Sequence, residues 1–224
     1  MKIGAVTIGQ SPRDDIIPEI RDVLGPEVEI LERGALDGLS LKEVNDFYPG
    51  PPDPILITRM KDGTEVKITK KNIVAKLKNC IFELEGKGVE IAILLCTEDF
   101  PEIESKKILL RPDRVLQSMV KATLKEGKLG VIIPSPDQIQ ATKKKWHGTG
   151  FSVVVEAISP YTGTEKKIIE IANRFKKLKV DLIILDCIGF TRMTKAIFRE
   201  ITKKPVLLPR TVLGRIAREI VEIE

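Results

Sequence analysis

Seven short apolar runs punctuate the chain, most of them separated by 10–18 residues with helical periodicity. They are "KIGAVTI" (2–8), "EVEILE" (27–32), "EIAILL" (90–95), "KLGVII" (128–133), "SVVVEA" (152–157), "DLIILD" (181–186) and "PVLL" (205–208). Residues 70–88, 112–127, 164–179 and the tail from 209 read as the intervening helices. Runs rich in Val, Ile and Leu are those of parallel strands covered on both faces, so the alternation predicts an α/β fold. One stretch departs from it. "PILITRMKDGTEVKIT" holds two alternating runs around Asp62-Gly63, the pattern of an antiparallel hairpin.

The pattern also repeats. "VEIAILLCTEDF" (89–100) matches "VDLIILDCIGF" (180–190), placing Cys96 over Cys187 at an offset of 91, while "KIGAV" at 2 matches "KLGVI" at 128 at an offset of 126. The difference, about 35 residues, is the size of the hairpin-bearing segment 34–69, so an insertion in the first half reconciles the two offsets. The expectation is two pseudo-symmetric Rossmann-like (flavodoxin-like) lobes with parallel sheets. The first spans 1–114 with the hairpin insertion near 34–69 and is joined by 205–224 from the C-terminus; the second spans 115–204.

Composition narrows the function classes. Three cysteines are too few for a disulfide scaffold and lack the short spacings of a zinc site. The one histidine, His147, precedes a Gly-rich turn and reads as a loop residue; a serine triad or histidine-rich metal site is excluded. With neither a P-loop nor GxGxxG, no metal and no cofactor are expected. The net charge of +5 comes from scattered basic pairs and a "KKK" at 143, read as solvated helix faces, and no aromatics interleave with them, so no nucleic-acid partner is expected. No apolar run approaches the roughly 20 residues of a membrane helix, and "MKIGAVTIGQS" reads as a strand rather than a signal peptide. The expected location is cytoplasmic, and a homo-oligomer is left open. Abundant Lys and Glu with scarce Asn and Gln point to a thermophilic source.

Ligands of open parallel sheets sit outside the carboxyl ends of the strands, where both Cys96 and Cys187 fall. A helix N-terminus is expected after each, and its amides and dipole would lower the thiol pKa from about 8.5. Two sulfurs facing one cleft suit proton transfer at a carbon alpha to a carboxylate: one thiolate removes a proton and the other thiol delivers one to the opposite face. The alternative is packing, the usual fate of a free cysteine and the reading for mid-helix Cys80. The first strand runs into "TIGQSPRDD", where Ser11 reads as an N-cap with Pro12 at the first helical position. That turn would present Gln10, Ser11 and Arg13 to a carboxylate or phosphate. Ser159 and Tyr161 in "ISPYTG", and Gly189 and Thr191 in "DCIGFTRMT", complete the candidate lining with Thr97.

"TIGQSPRDD", "GALDGL", "TRMKDGTEV", "LLCTEDFP", "GVIIPSPDQIQATKKKW", "SPYTG", "DCIGFT" and "PVLLPR", in that order, resemble the AroM family across nearly the whole chain. That family is similar to the aspartate/glutamate/hydantoin racemase superfamily, which has two pseudo-symmetric lobes with paired cysteines between them. The resemblance implies that Cys96 and Cys187 are the catalytic acid/base pair of a cofactor-independent isomerase or racemase acting on a small carboxylate or carbonyl compound. The alternative is a non-catalytic small-anion binding or regulatory protein on the same fold. Racemases commonly follow the first cysteine with Asn-Thr and the second with Thr-His; here Thr97-Glu98 and Ile188-Gly189 stand there. Glu98 and Asp99, if turned into the cleft, would repel an anionic substrate and raise the thiol pKa; if they cap the next helix, they would not.

Overall fold

The computed structural model describes residues 1–48, 50 and 54–221. Residues 49 and 51–53 of the expected insertion, and 222–224 of the expected tail, lie outside the described residues. The first parallel sheet contains β1 (Lys2–Thr7), β2 (Glu29–Gly34), β5 (Ile91–Leu95) and β6 (Ile108–Leu110), in the order β2-β1-β5-β6. Between β2 and β5 the antiparallel hairpin of β3 (Ile55–Arg59) and β4 (Glu65–Thr69) forms its own small sheet. The second parallel sheet contains β7 (Lys128–Ile133), β8 (Ser152–Ala157), β9 (Leu182–Leu185) and β10 (Val206–Leu207), in the order β8-β7-β9-β10. Taken in chain order within each lobe, the two sheets have one topology, and the hairpin is the addition to the first.

Side chains alternate across each central strand with the period of two that a strand imposes. On β1, Ile3 and Ala5 face α1 (Ile17–Leu24) and α8 (Pro209–Ile220), whereas Val6 packs with α3 (Lys70–Gly86) through Leu77, Ile81 and Leu84. On β7, Ile132 packs with Phe175 of α6 (Glu165–Leu178) and Phe198 of α7 (Arg192–Thr202). The other face of that strand, Leu129, Val131 and Ile133, meets Trp146 of α5 (Ile139–His147) and Leu116 and Val120 of α4 (Pro112–Thr123). The repeated glycine of "KIGAV" and "KLGVI" has a packing cause. A Cβ on Gly130 would lie 2.5 Å from the Phe175 ring, and one on Gly4 would lie 3.1 Å from Leu84.

The lobes exchange their last helices. After β6 the chain crosses so that α4 covers the second sheet, and after β10 it returns so that α8 covers the first. The expectation that 205–208 would return with the tail is corrected: β10 pairs with β9, and only the helix goes back. The strand β6 had no counterpart among the expected runs, because its three apolar residues follow "ESKK" and are too few to read. The first helix also begins later than expected, at Ile17 with Pro18 at its first turn, because Asp37 engages the Ser11 backbone and hydroxyl. A short helix, α2 (Leu41–Asn45), is closed by a Ser40–Glu43 capping box. Among the described residues no helix is long and apolar enough to cross a membrane.

Candidate active site

Cys96 directly follows β5, and Cys187 comes two residues after β9, the equivalent strand of the other lobe. Both line one cavity of about 40 Å3, room for a few water-sized groups. Its walls are the segments after the inner strands of both sheets (Ile8, Leu95–Glu98, Ile133–Pro134, Asp186–Ile188), one face of α5, and Leu56, Ile57 and Thr58 of the hairpin. Each cysteine is buried and backs onto the apolar core of its own lobe.

Burial pushes both thiols up. Cys187 rises to about 11, held back by the Gly189 backbone N–H and by the charges of Arg13 and Arg210. Cys96 rises further, because the Glu98 carboxylate and Cys187 add to burial while the Glu98 backbone N–H and Lys145 oppose it. The expected lowering by helix dipoles is therefore corrected. An irregular segment, not a helix, leads from Cys96 to β6, and at Cys187 desolvation outweighs the terminus of α7. In both lobes, however, the amide two residues past the cysteine favours the thiolate.

Buried cations shape the cavity. The Arg13 guanidinium donates to Asp15 at 2.8 Å through both Nε and Nη2, to the Thr7 hydroxyl at 2.9 Å and to the Tyr161 hydroxyl at 3.1 Å. Burial works to lower its pKa, but Asp15 and Tyr161 outweigh burial and hold it charged. Lys145 Nζ donates to both Asp186 oxygens at 2.9 Å and to the Thr97 carbonyl at 2.7 Å, so one ammonium joins the segment beside Cys96 to the segment beside Cys187. Burial disfavours that charge, yet Asp186 and Glu98 raise the pKa above that of a free lysine. Trp146 Nε1 adds a hydrogen bond to Asp186 at 2.6 Å. Two arginines stand at the starts of the exchanged helices, Arg111 just before Pro112 and Arg210 just after Pro209. Arg111 donates to the Phe100 and Pro101 carbonyls, and Arg210 to the Ile188 carbonyl at 3.0 and 2.8 Å, so each fixes the segment after one cysteine.

Of the residues singled out in the sequence, Arg13, Thr97 and Tyr161 line the cavity with the two cysteines. Gly189 abuts it: a Cβ there would come within 2.9 Å of the Tyr161 ring, so glycine is what lets the ring lie across the site. Four others are placed elsewhere. Gln10 donates to the Leu36 and Leu39 carbonyls and accepts from Lys61 N–H, which ties the hairpin turn to the first lobe. Ser11 is engaged by Asp37. Ser159 bonds Glu65 of the hairpin, and Thr191 caps α7. The two acids also part: Asp99 is exposed, while Glu98 lines the cavity and is paired with Lys70 at 2.9 Å.

Lys145, Asp186, Arg111, Arg210 and the hairpin were not read as site components. Lys145 is the last lysine of a run taken as solvated, and only its place beside buried Trp146 on α5 distinguishes it. The arginines carry a fainter signal, since each adjoins a proline that starts a helix after the last strand of its sheet.

The comparisons agree with this architecture. No curated protein sequence matches the chain. The fold is similar to that of the allantoin racemase from Klebsiella pneumoniae, with a TM-score of 0.66 and 13% identity over 99% of this chain and 87% of that one. It is similar to the maleate isomerase Iso from Pseudomonas putida S16, with a TM-score of 0.66 and 11% identity over 100% of this chain and 93% of that one. It is also similar to the glutamate racemase from Aquifex pyrophilus, with a TM-score of 0.59 and 18% identity over 99% and 84%. At these identities the likeness is one of fold. The family model described as "AroM protein" matches residues 3–221, and the chain, two-lobed like the racemases and isomerases, belongs to the AroM family.

Proposed function

We propose that this protein is a cofactor-independent isomerase or racemase of a small carboxylate or related carbonyl compound, with Cys96 and Cys187 as its two proton carriers. The observation that carries this reading is that equivalent strand ends of two duplicated lobes each bring one thiol to the same cavity. Its solved relatives of like fold are named as racemases and an isomerase. The thiol with the lower pKa, Cys187, starts as the thiolate. It takes the proton from the carbon alpha to the carbonyl, the C–H electron pair moves into the carbonyl as an enolate, and an S–H bond forms. Cys96 gives its proton to the opposite face of that carbon and is left as the thiolate, so the reverse turnover begins from the other side. Arg13 and Lys145 supply positive charge against the enolate, and Arg13, Thr97 and Tyr161 hold the substrate.

Enantiopure 2-substituted carboxylic acids incubated with the protein in D2O test this, with the alpha-proton followed by NMR. The expected outcome is deuterium at the alpha-carbon with loss of optical purity for at least one acid. Cys96→Ser or Cys187→Ser should reduce racemisation by about 10²–10⁴-fold. A second reading, anion binding without catalysis, draws on the raised pKa of both thiols, which leaves little thiolate at neutral pH. It requires protection of the cysteines by an acid that never exchanges its proton.

A further inference from the structure

The charged groups around the cavity are nearly all engaged within the protein, and what is left over describes a ligand. The three Lys145 donors are directed at Asp186 and the Thr97 carbonyl, and Glu98 is paired with Lys70. Of the five Arg13 N–H groups, four are engaged, leaving one on Nη1 without a partner among the described residues. The formal charges of the lining, Arg13 and Lys145 against Glu98 and Asp186, cancel. Two buried oxygens of the lining, Thr58 Oγ1 and Gln138 Oε1, have no hydrogen-bond partner among the described residues; the hydroxyl can donate or accept, whereas the amide oxygen can only accept. Gln138 Nε2 donates to the Ile55 carbonyl of the hairpin at 3.0 Å. A carbonyl can only accept, so the Ile55 contact decides which end of the amide is NH2, and the oxygen is the atom left over. Beside it the hairpin contributes the apolar Leu56 and Ile57 to the same wall.

Resting on the proton-transfer reading above, we propose that the substrate is a small monoanion carrying an uncharged O–H or N–H donor. Gln138 Oε1 accepts from that donor, and Leu56 and Ile57 cover the apolar side. One unengaged Arg13 N–H serves one carboxylate; a second carboxylate would enter beside Glu98 and Asp186 with no free cation to meet it. An ammonium in place of the uncharged donor would find no free carboxylate, since Glu98 is paired with Lys70 and Asp186 with Lys145. The hairpin, which is the insertion that distinguishes the first lobe from the second, thus anchors Gln138 through the Ile55 carbonyl and supplies the apolar side of the specificity wall.

Three acids with three-carbon chains separate these features: propanoate, 2-hydroxypropanoate and malonate. The readout is protection of Cys187 from iodoacetamide at pH 9 and constant ionic strength, followed by mass spectrometry of the cysteine peptides. The expected result is protection by one or both enantiomers of 2-hydroxypropanoate at about tenfold lower concentration than propanoate, as one hydrogen bond to a buried acceptor implies, and none by malonate. Gln138→Leu should erase the hydroxyl preference while propanoate still protects. Equal protection by the two monoacids, stronger protection by malonate, protection by none, or a preference that survives in Gln138→Leu overturns the proposal. The comparison of acids on the native chain stands whether or not the variant folds. Hydroxyl preference without deuterium exchange keeps the ligand class and removes the isomerase; exchange on an acid lacking a donor does the reverse.

Discussion

Cys96 and Cys187 have equivalent backbones but different surroundings, and the difference sets their chemistry. Arg13 and Arg210 bear on Cys187, whereas Glu98 bears on Cys96. In the ligand-free protein, alkylation should be slow at neutral pH and rise with pH. Cys187 should react first with an apparent pKa near 11, and Cys96 later; peptide-resolved iodoacetamide kinetics check this. The same shift acts on stability. The folded chain keeps the Cys187 proton that the unfolded chain releases at about 8.5, so its contribution is complete below that pH and is lost as pH rises to about 11. Urea midpoints between pH 8 and 11 should fall more steeply for the native chain than for Cys187→Ser, by on the order of 3 kcal/mol across the window. The cysteines were legible because a repeat marks them. Lys145 was not, because a lysine in a basic run looks solvated until the packing of α5 buries it between two lobes.

The repeat is clearest at the scale of strand and helix, where geometry demands it. Gly130 and Gly4 sit at the same place on β7 and β1 so that α6 and α3 can lie close against them. Gly130→Ala should cost about 1–3 kcal/mol, since the added methyl meets an aromatic ring at 2.5 Å. Gly4→Ala should cost less, because the end of the Leu84 side chain, 3.1 Å away, can turn aside. Chemical denaturation of both variants measures the order; a larger loss at Gly4 would reverse the packing argument. The apolar runs of the central strands, such as the fully buried β5, were readable because both faces are covered. What escaped were elements whose cause is not local. The three-residue β6 exists by pairing with β5, and α1 starts late because a distant aspartate, Asp37, holds the turn before it.

Across the whole molecule, the exchange of α4 and α8 makes each lobe's core depend on the other half of the chain. The two lobes should therefore unfold together. Fluorescence of Trp146, in the second lobe, and far-UV circular dichroism of the whole chain should give coincident urea transitions, while separated midpoints would mean independent lobes. The duplication foretold two like sheets but not the reciprocal crossing, since a helix pattern does not say which sheet it covers. At the start of the returning α8, Arg210 donates to the Ile188 carbonyl beside Cys187 and to the Asp15 carbonyl of the first lobe, so this crossing also ties a cysteine segment to the other lobe.

The central claim is that the two thiols serve opposite faces of one carbon. Deuterium incorporation from D2O, measured separately for each enantiomer of an accepted acid with Cys96→Ser and Cys187→Ser, tests it most directly. The account predicts complementary behaviour: each variant loses racemisation but keeps slow exchange only with the enantiomer whose alpha-hydrogen faces its remaining cysteine. Retention of the same enantiomer by both variants, or native-like exchange in either, would contradict it.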